Sequence, residues 1–182
     1  MTTKEKILQA ALELFTKQGF NKTSTAQISK QVGIASGTLF VHFKTKQELI
    51  DAVYINIKKK SAQAQDIKID ENLSVEENFK KITKNIINYY TNNYIEYQYV
   101  RLMNNEPEVS EEAIKEVEKE FKTFSDMFIG WKGEGYFKDL DMNLIYKVYG
   151  DIINAILTYC NENKIKQATN EMLDIIWDAI KK

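Results

Sequence analysis

The stretch Gly33-Ile34-Ala35-Ser36-Gly37-Thr38-Leu39-Phe40-Val41-His42-Phe43-Lys44-Thr45-Lys46-Gln47-Glu48-Leu49 decides how this chain is read. Gly33 offers a tight turn, because glycine accepts positive φ without steric cost. Ser36 is placed to cap a short helix running to about His42, with Leu39 and Phe43 facing inward. Just upstream, Ser24 and Gln27 have capping-box spacing, and Ile28 and Val32 fall on one face of another short helix. Two helices of about seven residues joined by a turn of about four have helix-turn-helix spacing. Thr45 with Glu48 is a further capping box and opens a longer helix through Leu49, Val53 and Ile57, expected to reach the mid-60s.

Working outward, Ile7, Ala10, Ala11, Leu14 and Phe15 recur at the helical period, with Thr2 and Glu5 at capping-box spacing and Gly19 at the C-terminal cap position. Residues Asp66 to Leu73 read as a polar connector. Ser74 with Glu77 then caps a helix bearing Phe79, Ile82, Ile86, Tyr89 and Tyr90, which continues, with a break allowed near Asn92-Asn93, into Tyr94 to Met103. Pro107, the single proline, is expected to end it. One helix from Ser110 carries Ile114, Val117, Phe121, Phe124 and Phe128, and Gly130, Gly133 and Gly135 mark 130–140 as a loop. Leu144 to Cys160 is apolar around much of its circumference, and a last helix carries Met172, Ile175, Ile176, Ala179 and Ile180. Seven glycines and one proline in 182 residues are too few for a turn-rich all-β chain. The fold class expected is all-α, with about nine helices.

Charge divides the chain. The net charge of −1 by itself argues against a polybasic nucleic-acid binder. Residues 1–47, however, hold seven lysines and two glutamates, a net +5, while residues 48–182 hold 18 basic and 24 acidic side chains, a net −6. A basic segment carrying a helix-turn-helix suits DNA, where binding releases counterions from phosphate. No run of about 18 apolar residues predicts a membrane span, and the N-terminus lacks the apolar core of a signal peptide. One cysteine, Cys160, excludes an internal disulfide and fits a reducing cytoplasm. One histidine and one cysteine leave little material for a metal site, and no catalytic set or cofactor motif is present, so neither enzyme, metal nor cofactor is expected.

The run from Gly33 to Leu49, preceded by Ile7 to Phe15, Gly19-Phe20 and Thr23 to Ile28 at matching distances, resembles the DNA-binding domain of TetR-type (tetracycline-repressor-like) transcriptional regulators over about residues 4–55. The resemblance implies DNA contacts at Thr25, Ser36, Gly37, Thr38, Phe40, Val41, His42 and Lys46. Ser24 at its helix start and Lys44 by charge and position complete the candidate set. Three positions depart from the family's pattern. Phe40 stands where tyrosine is usual and lacks the hydroxyl that would reach a phosphate. Ala26 stands where arginine is frequent, and Val41 replaces a common aromatic.

The resemblance further implies a division into a helix-turn-helix domain at 1–47 and a helical ligand-binding and dimerisation domain at 48–182. Tyr90, Tyr94, Tyr97, Met103, Phe121, Phe124, Phe128 and Trp131 are candidates to line a pocket for a small hydrophobic or cationic inducer, with Glu96 available to pair a cation. The competing reading is that aromatics at helical spacing are core. Ile145, Tyr149, Ile152, Ile156, Ile176 and Ile180 are candidates for a dimer interface between the last two helices of each chain. The expectation is therefore a cytoplasmic homodimeric repressor released from a palindromic operator by a ligand. The alternative is a DNA-binding regulator with no small ligand, controlled by a protein partner.

Overall fold

The computed structural model describes residues 1–65, 68–105 and 108–182. Ten helices carry the described residues: α1 (Thr3–Gln18), α2 (Thr25–Val32), α3 (Ser36–His42), α4 (Lys46–Gln65), α5 (Val75–Asn92), α6 (Tyr94–Asn105), α7 (Glu111–Glu120), α8 (Lys122–Gly133), α9 (Met142–Glu162) and α10 (Asn170–Ile180). Among these residues, strand-like pairing amounts to one antiparallel bridge between Phe137 and Lys181. The all-α expectation holds.

The helix starts follow local chemistry. The side chains of Thr2, Ser24 and Ser74 each accept from a backbone N–H three residues on, and Glu5, Gln27 and Glu77 return the bond to the cap's own backbone N–H. Gly33 closes α2 in the left-handed conformation, at φ 76° and ψ 36°. The Ile34 N–H then reaches back to the Ser29 carbonyl at 3.0 Å, which satisfies an otherwise orphaned acceptor and sets the turn into α3.

Three expectations are corrected. Ser36 does not cap α3: it is the helix's first residue, and the cap is Ala35, whose side chain has no hydroxyl to offer. The single helix expected from Ser110 through Phe128 is two, α7 and α8, because Phe121 adopts φ −97° and ψ 3° and interrupts the α geometry. Gly130 and Gly133 lie inside α8 rather than in a loop, and the chain turns only at Gly135, at φ 86°. The expected helix stop at Pro107, and Asp66 of the expected connector, lie outside the described residues.

The chain packs as two compact units, residues 1–60 with 95–119 and residues 61–94 with 120–182. The division expected at residue 47 is one of charge and motif, and it falls in the first turn of α4.

In the first unit Ile7, Ala11, Phe15, Ile28, Leu39, Leu49 and Ile57 are fully buried. Phe15, Phe20 and Tyr99 form an aromatic cluster, with Phe20 meeting Tyr99 edge-on at 5.7 Å between centroids. The Tyr99 hydroxyl donates to the Ile50 carbonyl at 2.9 Å, and burial pushes its pKa above the usual phenol value. The second unit is built around Phe79, whose ring lies 5.1 Å from Trp177 and 5.7 Å from both Phe128 and Tyr149.

Candidate nucleic-acid interface

The candidate reading surface is α3 and what holds it. Leu39 and Phe43 are buried beneath the helix, so the α3 residues left outward are Ser36, Gly37, Phe40 and Val41, with Thr38 and His42 half-buried at its sides. Val41 is 73% exposed and Phe40 42% exposed. The underside is fastened by several bonds. The Thr23 hydroxyl donates to the Gly19 carbonyl at 2.8 Å. Gln31 of α2 donates to Glu13 of α1 at 2.7 Å, and the Lys4 ammonium lies 5.7 Å above the Phe43 ring. These contacts hold together the elements on which Leu39 and Phe43 seat α3.

The remaining expected contact residues are placed as follows. Ser24 is the exposed cap of α2, and Thr25 is half-buried in its first turn. Lys44 is exposed immediately after α3. Lys46 is half-buried, and its ammonium donates to the Phe20 carbonyl, which ties the start of α4 to the turn after α1. Lys46 is thus a structural tie as well as a charge. Between Glu13 and Glu48 the chain carries no acidic residue and five lysines. The cap of α2 also respects this, using the neutral amide of Gln27 where α1 and α5 use Glu5 and Glu77.

The other two candidate sets differ in unit and in burial. Tyr97 and Met103 belong to the first unit, while Tyr90, Tyr94, Phe121, Phe124, Phe128 and Trp131 belong to the second. Phe128 and Trp131 are core residues, with Phe128 4.4 Å from Phe124 and 5.3 Å from Phe137 between centroids. Glu96 is buried and paired with Lys60 at 3.1 Å. Tyr99, which the spacing did not single out, anchors α6 to α4 and to the α1 aromatics. Of the expected dimer residues, Ile145, Tyr149, Ile176 and Ile180 are buried within their own unit, as is Ile156 apart from an edge, and Ile152 is half-exposed. The apolar side chains that α9 and α10 do expose are Leu144, Tyr159 and Ile175.

Residues 7–53 match the family model described as "Bacterial regulatory proteins, tetR family". The chain is 29% identical over 173 residues to the HTH-type transcriptional regulator QacR of Staphylococcus aureus, covering 92% of this chain and 90% of that protein. Its helix-turn-helix segment is similar to that of TetR-family regulators. Over a shorter span it is 43% identical, across 53 residues, to the uncharacterized HTH-type transcriptional regulator YvdT of Bacillus subtilis, covering 29% of this chain and 27% of that one. The fold likeness extends along the whole chain. A crystal structure of a TetR family transcription regulator from Marinobacter aquaeolei VT8 superimposes with a TM-score of 0.86 at 16% identity, covering 99% of this chain and 96% of that one. The chain thus carries a helix-turn-helix of the DNA-binding type, and the relatives it is similar to are transcriptional regulators. Among the described residues no helix is long and apolar enough to cross a membrane.

Proposed function

We propose that this regulator acts as a homodimer that reads a palindromic operator through α3 and lets go when a small molecule binds. The observation that carries the reading is the outward face of α3, an uncapped short helix with apolar and hydroxyl side chains exposed in a segment free of acidic residues. Ser36, Gly37, Thr38, Phe40, Val41 and His42 face the bases, and Lys44, with the remaining donors of Lys46 and the helix start at Ser24-Thr25, meets phosphate.

The partner copy is assigned to the α9–α10 surface. Ile152, Ala155, Ile156, Tyr159, Met172 and Ile175 line an apolar groove of about 520 Å³ with a single charged residue, Asp151, among its lining. A second copy of the same face covers it by symmetry and places two recognition helices on one duplex. The inducer is small and hydrophobic or cationic. A cleft of about 300 Å³ in the first unit has Leu8, Leu12, Val53 and Ile57 as apolar walls and the Lys60–Glu96 pair at its polar edge, which suits such a molecule. A ligand releases DNA only if it binds the DNA-free state more tightly.

Selection of bound duplexes from a randomised library, with sedimentation of the free protein, tests the reading. Inverted repeats with half-site centres about 34–36 Å apart, or a multiple of that, together with a two-chain mass, are expected. A one-chain mass with unrepeated sites overturns it.

A further inference from the structure

We infer that α3 identifies its operator by the 5-methyl groups of thymine, which Val41 and Phe40 touch in a space that Gly37 leaves open. The inference rests on α3 being the groove-facing helix and goes beyond it by naming the chemical feature read.

The residues of α3, Ser36–His42, include no arginine, lysine, asparagine or glutamine. Those are the side chains that grip guanine or adenine edges with paired hydrogen bonds. The hydroxyls of Ser36 and Thr38 bond any base edge that offers a donor or an acceptor, and so discriminate little alone. The outermost surface of the helix is instead apolar, in the side chains of Val41 and Phe40. The major groove presents one apolar feature, the thymine methyl.

Gly37 points the same way. It lies one turn before Val41 on the same helix face. Glycine within a helix lowers its stability relative to alanine, so a reason is needed. The protein supplies none: Gly37 does not have positive φ, and a Cβ built on it meets no atom within 4 Å. Neither conformation nor internal packing requires the missing side chain. The same holds for Gly130, Gly133 and Gly150, but Gly37 alone of these lies on α3, where its open space is available to a feature of the groove. A methyl group projecting from a base edge there would lie over the Gly37 backbone, flanked by Val41 and by Phe40 from the adjacent row.

The experiment uses the full chain and duplexes selected from a randomised library. Each thymine of a selected duplex is replaced by deoxyuridine, which pairs with adenine identically but lacks the methyl. Affinity should fall about four-fold for each contacted methyl. Val41→Ala should weaken the thymine duplex similarly and leave the deoxyuridine duplex unaffected, since the two changes remove one contact. Val41 is exposed, so an unchanged melting temperature verifies the fold. Gly37→Ala should raise the melting temperature and yet weaken the selected duplex. Affinity indifferent to every deoxyuridine replacement overturns the inference, as does a Val41→Ala loss that is equal on both duplexes. Enrichment of no sequence at all is a different failure, because it removes α3 as the groove-facing helix and the inference with it.

Discussion

Both α3 and the α9–α10 face expose apolar side chains, but in opposite surroundings. Phe40 and Val41 stand on a seven-residue helix among hydroxyls, a glycine and lysines, with no carboxylate between Glu13 and Glu48. Leu144, Tyr159 and Ile175 stand on long helices of 21 and 11 residues, where Ile152, Ile156 and Met172 widen the apolar area into a continuous groove. An exposed apolar residue marks a partner in each case, and its neighbours indicate which kind. Isolated apolar groups in a cationic field suit the methyl groups of a polyanion. A continuous apolar face suits another protein surface, which the proposed dimer supplies as a second copy.

The largest test of that contrast is Ile175→Arg. Ile175 is 58% exposed, so the folded protomer should keep its melting temperature. Sedimentation should show a single chain, and operator affinity should fall about 100-fold or more as one half-site loses its tethered neighbour. A mass still equal to two chains would move the interface elsewhere and leave the apolar groove without its assigned partner.

A smaller effect separates the two lysines that follow α3. Lys44→Ala should reduce the salt dependence of binding by about one unit of slope with the melting temperature unchanged. Lys46→Ala removes the bond to the Phe20 carbonyl and should lower stability by about 1 kcal/mol in addition to weakening DNA binding. Equal melting temperatures for the two variants would mean that Lys46 serves DNA alone.

The smallest effect contrasts helix starts. The Ser74 hydroxyl and backbone N–H donate to the Glu77 carboxylate and hold its pKa below the usual carboxylate range. A lowered folded-state pKa contributes stability that is complete above the unfolded value and is lost as pH falls through the folded one. Ser74→Ala should cost about 1 kcal/mol at neutral pH and flatten the acid limb of stability. Ser24→Ala, which removes a cap paired with Gln27, should leave that limb unaltered. Parallel behaviour of the two variants in calorimetry would erase the distinction between the starts of α2 and α5.

The parts legible in the sequence are those governed by neighbours along the chain. The caps at Thr2, Ser24 and Ser74 and the left-handed Gly33 are set by bonds spanning three to five residues, and each is present. Ser36 lies one position past the cap, and serine at the first helical position and at the cap look alike in sequence when the preceding residue is unremarkable. The break at Phe121 carries neither glycine nor proline, so a regular apolar repeat ran through it unseen. The interface and pocket candidates are less legible for a different reason. A periodic stripe shows that Ile145, Ile152, Ile175 and Ile176 lie on helices, but not which stripe faces the protomer's own core. Burial assigns Ile145 and Ile176 inward and Ile175 outward. Tyr99 could not be distinguished from its neighbouring tyrosines, since its bond to Ile50 spans 49 residues.

The neutral cap at Gln27 has a consequence for how this segment meets a polyanion. From Leu14 to Gln47 no carboxyl is present, so no side chain of that stretch repels phosphate. A Gln27→Glu variant would keep the capping box while placing a carboxylate at the start of the helix that precedes α3. The segment's uniform sign, rather than its fold, would be what that one atom-for-atom exchange removes.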